Sequence, residues 1–201
     1  MKVKRVFPSG VFLAVALSGC AALPGLGPAP VDIYELTAPT TISTGGRLSR
    51  TQILIAEPSA LKALDGQDIV IKTGPSAIQL LKGARWSDRL PRIVQARLAE
   101  AFQRSGRVGG VGKPGEGLAI DYQVIADIRA FEIRVDGTPR AQIEMFVRIL
   151  NDRNGVVRAS RTFTASVPVA ADSGNAAFVA ALDQAFGAAA NEIVGWAVSV
   201  I

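Results

Sequence analysis

The 201 residues are 49% apolar, 6% aromatic and 19% charged, the balance of one globular domain with an appendage. Histidine is absent and Cys20 is the only cysteine, which excludes a Ser–His–Asp triad, a Cys–His dyad, a His-ligated metal site, a thiolate zinc cluster and an internal disulfide framework. The formal net charge is +5, yet three of the 22 basic residues are Lys2, Lys4 and Arg5 at the amino terminus. The others are dispersed, without a like-charge block or interleaved aromatics, and this argues against nucleic-acid binding.

Lys2, Lys4 and Arg5 precede an apolar stretch from Val6 to Leu17, too short to span a bilayer and of signal-peptide length. Leu17-Ser18-Gly19-Cys20 resembles the bacterial lipobox, in which the cysteine thiol receives a diacylglycerol and cleavage occurs just before it. The expected organisation is a signal peptide over 1–19, a lipidated Cys20 with a Pro/Gly tether over 20–30, and a single periplasmic domain over 31–201. Buried methylenes of such an anchor contribute about 0.8 kcal/mol each, so several acyl chains make attachment effectively permanent. Ala21, a residue other than Asp after the cysteine, favours the outer membrane over the inner membrane.

Along the folded part, Val31 to Leu36 alternates apolar with polar and predicts a strand, followed by a Thr/Ser/Gly-rich loop over 40–50. Gln52 to Ala56, Asp68 to Lys72 and Ser76 to Leu81 predict three more short strands, whose close spacing implies antiparallel or edge pairing. Ser87 or Asp88 is placed to cap a helix through about Arg104, with Leu90, Ile93, Val94, Leu98 and Phe102 on one stripe and Gly106 as its stop. Leu118 to Ile128 alternates with even-numbered positions inward. After Ala130 the phase flips to Phe131, Ile133 and Val135, which predicts a bulge or bend. Asp136-Gly137 and Asn154-Gly155 mark the turns of a three-stranded meander ending near Val167. An alanine-rich helix follows from about Asn175 to Val198. The predicted class is α+β: a twisted, largely antiparallel sheet with two long helices packed on one face.

Gly110-Val111-Gly112-Lys113-Pro114-Gly115 satisfies G-x-G-x-x-G, but a helix precedes it and a strand follows, the reverse of a dinucleotide-binding turn. It reads as a flexible loop. Asp121 and Asp127 are expected on a solvent face, and no catalytic, cofactor or metal residue is assigned.

Arg85-Trp86-Ser87-Asp88-Arg89-Leu90 is similar to the segment that opens the first long helix in the ABC-type transport auxiliary lipoproteins, a family that includes the lipoprotein partner of paraquat-inducible MCE proteins. Tyr34-Glu35-Leu36 soon after the tether, paired hydrophobic strands before the tryptophan, and Ala126-Asp127-Ile128-Arg129-Ala130-Phe131-Glu132 agree in order. Ser87 and Arg89 depart from the alanine and proline frequent around the acidic residue in the family. The resemblance covers roughly 31–201. It implies a non-catalytic lipoprotein without cofactor that docks an MCE-type protein of an ABC permease/ATPase system at the outer membrane, for phospholipid or related lipid transport. Arg85, Trp86 and Arg89 are the candidate partner surface, with core packing the competing reading of Trp86. Homo-oligomerisation is left open, and the alternative function is a structural or assembly lipoprotein of the envelope.

Overall fold

The computed structural model describes residues 30–40 and 46–201. The expected leader, Cys20 and nearly all of the tether lie outside them. In chain order the elements are β1 (Asp32–Tyr34), β2 (Leu48–Ile55), β3 (Ser59–Ala60), β4 (Asp68–Lys72), β5 (Ile78–Trp86), α1 (Leu90–Ser105), β6 (Val108–Gly112), β7 (Tyr122–Arg134), β8 (Arg140–Asn151), β9 (Val157–Pro168) and α2 (Asn175–Val200). The class is α+β, with one twisted sheet whose long ladders are antiparallel.

Strand β7 organises that sheet. Along one edge it pairs antiparallel with β8, from Tyr122↔Asn151 to Arg134↔Arg140, and β8 pairs antiparallel with β9 to complete the meander. The other edge is shared in succession by β2, β3 and β4, each parallel to β7. Strand β6 adds outside β2, while β5 and then β1 add outside β4. The sheet therefore forks beyond β7. This corrects the expectation for the short early strands: connections through loops and α1 return the chain in the same direction, so parallel pairing enters where spacing alone suggested antiparallel neighbours.

The phase flip in β7 is a bulge. Ile128 pairs with Met145 and Ala130 with Glu144, which leaves Arg129 as the extra residue. Because of it, Val124, Ala126 and Ile128 before the bulge and Phe131 and Ile133 after it all face the same core, each at most 2% exposed. Ala141, Ile143, Met145, Val147 and Ile149 on β8 are wholly buried beside them. Asn154-Gly155 turns as predicted, with Gly155 at φ 69° and the Asn154 side chain accepting from Val156 N at 3.0 Å. The Asp136-Gly137 hairpin is wider, and Gly137 does not adopt the positive φ of a tight two-residue turn.

Both helices cover this one face. Helix α1 begins at Leu90 with Pro91 in its first turn and ends at Gly106, whose φ of 62° lets its N–H bond Gln103 O. Its amino end carries no side-chain cap; the Asp88 carboxylate instead accepts from Arg89 N at 2.7 Å, just outside the helix. Helix α2 lays Phe178, Leu182, Phe186 and Ile193 onto the meander, and Ala181, Ala185, Ala189, Ala190 and Ala197 are buried among them. Methyl-sized side chains at that density let the helix axis approach the sheet closely.

Three local expectations change. The residues from Leu118 to Asp121 precede β7 rather than belonging to it, and Leu118 is 42% exposed. Strand β5 runs through Trp86, so the tryptophan ends a strand where a helix entrance was expected. Gly110 and Gly112 lie in β6 and not in a loop, and the turn follows at 113–116. Beside them, a Cβ on Gly109 would collide with the Ser49 carbonyl, so the glycine there serves the close approach of β6 to β2.

Candidate functional site

The segment from Arg85 to Leu90 is a junction. Strand β5 delivers Trp86 to the centre of the core, 1% exposed, where its ring meets Phe131 edge-on at 5.8 Å; Phe131 in turn lies 6.2 Å from Phe186 of α2. The backbone around it ties three segments together. Trp86 N donates to Gln67 O at 2.7 Å, Ser87 N to Tyr34 O at 2.8 Å, and Leu90 N to Gly66 O at 2.9 Å. Ile33 and Tyr34 pair in parallel with Arg85 and Trp86. The two motifs that carry the family resemblance, Tyr34-Glu35-Leu36 and Arg85-Trp86, are thus strand neighbours.

This geometry corrects the partner-anchor reading of Trp86 and agrees with the core-packing one: a side chain buried against Phe131 of β7 presents nothing to a partner. Arg89 is half-exposed but already engaged, with Nε donating to Asp65 at 2.9 Å, a second bond to the same carboxylate, and an ion pair to Glu57 at 3.0 Å. These carboxylates, and first of all the Asp65 hydrogen bond, hold its guanidinium above its ordinary pKa. Arg89 clamps the 57–67 segment to the start of α1. Of the three, only Arg85 lies open.

Arg97 repeats the device one side over. Its Nε donates to Leu36 O at 2.7 Å, and its other nitrogens reach Glu100 at 3.0 Å and Glu35 at 3.4 Å. Asp183 of α2 accepts from both the N–H and the hydroxyl of Thr37, each at 2.7 Å. The chain leaving β1 is therefore held by polar ties to both helices. Sequence reasoning missed Asp65, Glu57 and Asp183, because partners 24 to 146 residues away leave no local pattern.

On the sheet face away from the helices, Glu132 is only 9% exposed, and that burial pushes its carboxyl up, opposed by the nearby Lys72 and Arg134 charges. Arg129, released by the bulge, lies over Phe146 at 4.6 Å. At the far end of β7, Asp121 accepts from Gln52 N at 2.9 Å and from Arg153, and the first of these bonds is the main cause holding its carboxyl below the ordinary range. A cleft of about 510 Å³ opens there between Arg50, Gln52, Leu118 and Arg153. Both of its carboxylates are engaged, Asp121 by Gln52 N–H and Arg153, and Asp152 by the side-chain amide of Gln123. Among the described residues no three Asp, Glu or Cys side chains gather to hold a metal ion, and no helix is long and apolar enough to cross a membrane.

This fold and its sequence have relatives. Protein XCC0632 from Xanthomonas campestris is 30% identical, with a TM-score of 0.76 over 84% of this chain and 96% of its own. A protein of Chlamydia trachomatis shares the fold at 11% identity, with a TM-score of 0.54 over 76% of this chain and 98% of its own. Protein bll6063 of Bradyrhizobium diazoefficiens is 32% identical over 189 residues, 92% of this chain and 50% of that protein, so the chain spans about half the length of this curated relative. The sequence pattern of the ABC-type transport auxiliary lipoprotein component matches residues 34–194, from β1 to the last turns of α2, and the chain belongs to that family.

Proposed function

We propose that this chain is a non-catalytic, lipid-anchored docking component of an ABC/MCE-type envelope transport system. Cys20 carries the anchor, residues 20–30 tether the domain, and residues 31–201 face the periplasm at the outer membrane. There the domain receives an MCE-type protein whose partner permease and ATPase drive phospholipid or related lipid movement. The observation that carries this reading is the family match across the whole folded domain. It is supported by the lipobox residues Leu17 to Cys20 and by the use of the charged side chains around the Arg85–Leu90 junction as structural ties.

The test is co-purification of the full chain from detergent-solubilised envelopes, with an unrelated lipoprotein as reference. Enrichment of MCE, permease or ATPase components is expected. Absence of all three would sink the transport role and leave a structural or assembly lipoprotein of the envelope. For the anchor, Cys20→Ala is expected to release the chain from outer-membrane fractions or leave an uncleaved precursor at the inner membrane. A variant processed and bound as before would overturn lipidation.

A further inference from the structure

On the wing built by β4, β5 and β1, the face turned from the core leaves several apolar side chains exposed among the described residues. In β4, Val70 pairs with Glu132 of β7 and Ile71 with Ile133, so Asp68, Val70 and Lys72 share the Glu132 face, on which Val70 is only 2% exposed. Leu80 stands opposite Val70 and Ile78 opposite Lys72, while Arg85 stands opposite Asp68 and Ile33 opposite Arg85. Residues directly opposite share a face, so Ile33, Ile78 and Leu80 lie on one surface, 59%, 45% and 50% exposed. Solitary exposed apolar residues are ordinary; three aligned on one sheet face are not.

What covers them follows from where the chain leaves. The position a Cβ on Gly83 of β5 would take lies 3.7 Å from Asn175 Nδ2 at the start of α2 and 3.9 Å from Pro30 O. The tether thus departs from this same wing. Residues 21–29, fully extended, reach about 30 Å, against a domain roughly 40 Å across. A lipid-anchored domain on so short a leash keeps the surface around Pro30 toward the bilayer. Arg85 and Lys82 are exposed in β5, and Lys72 lies beside Ile78, with Asp68 and Glu132 as the nearby carboxylates. Cations around an apolar centre suit anionic phospholipid head groups, each worth about 1 kcal/mol near the surface. Such contacts are weak alone, but tethering raises the effective concentration to about millimolar.

We propose that the outer face of the β4-β5-β1 wing, centred on Ile33, Ile78 and Leu80 and rimmed by Arg85, Lys82 and Lys72, rests on the phospholipid surface that holds the anchor. This rests on the anchor reading of Cys20, and it keeps the β9 edge away from that surface, free for protein partners.

The experiment uses the full mature chain carrying Leu80→Cys or, as reference on β9, Thr164→Cys, each labelled with an environment-sensitive thiol dye. The chains are reconstituted into vesicles of phosphatidylethanolamine and phosphatidylglycerol doped with nitroxide lipid. The label at 80 is expected to shift to the blue and lose most of its emission to the nitroxide, while that at 164 does neither. Equal quenching at both positions, or none at 80, overturns the proposal. So does a blue shift at 80 already complete in detergent and dependent on protein concentration, which would mean a second copy covers the face, or complete and concentration-independent, which would mean the tether does. Dye uptake by the parent chain reads the anchor separately. A blocked Cys20 thiol with no quenching at 80 removes the face and keeps the anchor; a reactive thiol with quenching at 80 removes the anchor and keeps the face.

Discussion

The two halves of the forked sheet are stabilised differently. In the meander of β7, β8 and β9 with α2, stability comes from apolar burial on continuous antiparallel ladders: the core face of β8 is fully buried, and α2 adds Leu182, Phe186 and Ile193 at 0% exposure. In the wing of β1, β4 and β5 with the start of α1, the strands are short and partly parallel. There the joints are Arg89 to Asp65 and Glu57, Arg97 to Leu36 O, and Thr37 to Asp183. The difference teaches that one half depends on filling a continuous apolar core, while the other depends also on particular polar partners. Trp86 is where they meet.

The largest expected effect is on the meander. Ile193→Asp places an unpaired carboxylate at a fully buried position and is expected to cost several kcal/mol, enough to unfold the domain or to lower its melting temperature steeply. Ala188→Asp, on the exposed side of the same helix, should leave the melt nearly unchanged. Equal melts for the two variants would remove the contrast. Next comes the junction. Trp86→Ala is expected to cost about 3–5 kcal/mol, because the cavity opens against Phe131 at the seam of both halves. A loss confined to the wing in hydrogen exchange, with β8 still protected, would show that the halves fold apart.

Within the wing, Arg89→Ala should speed amide exchange over residues 61–67 while shifting the global melt only slightly, since its pairs are half-exposed. Unchanged exchange there would deny the clamp. The smallest effect concerns Glu132. Its folded pKa is raised above that of the unfolded chain, so between the two values the native state binds more protons and stability falls as pH rises through that window. Glu132→Gln is therefore expected to stabilise the protein at neutral pH by under about 1 kcal/mol and to remove this slope, read by denaturant melts across the acidic range. A variant less stable than the parent at neutral pH would mean that the charged form makes favourable contacts with Lys72 and Arg134.

How much of this was legible depended on whether the signal was local. The meander, its bulge after Ile128, the Gly106 stop and the faces of both helices follow from periodicity, because burial of one face dictates every second or every third and fourth residue. The wing did not. Strand β3 is two residues long, β6 is written mostly in glycine and valine, and parallel partners are set by loop paths that no spacing records. The three residues chosen as a surface show the same limit. Arginines flanking a tryptophan look exposed as a string, yet β5 buries Trp86 and two distant acidic residues occupy Arg89.

By itself, the sequence determined the class, the meander with its covering helices, the exclusion of histidine chemistry and of an internal disulfide framework, and the residues that mark the family, since each rests on composition, on short-range periodicity or on a contiguous motif. Only the tertiary structure decided that β2, β3 and β4 share one edge of β7, that the motif residues are a structural junction, and that Ile33, Ile78 and Leu80 stand together in the open. Those depend on contacts between residues far apart in the chain, and a strand's alternation reports that it has two faces without saying which of them another element will cover.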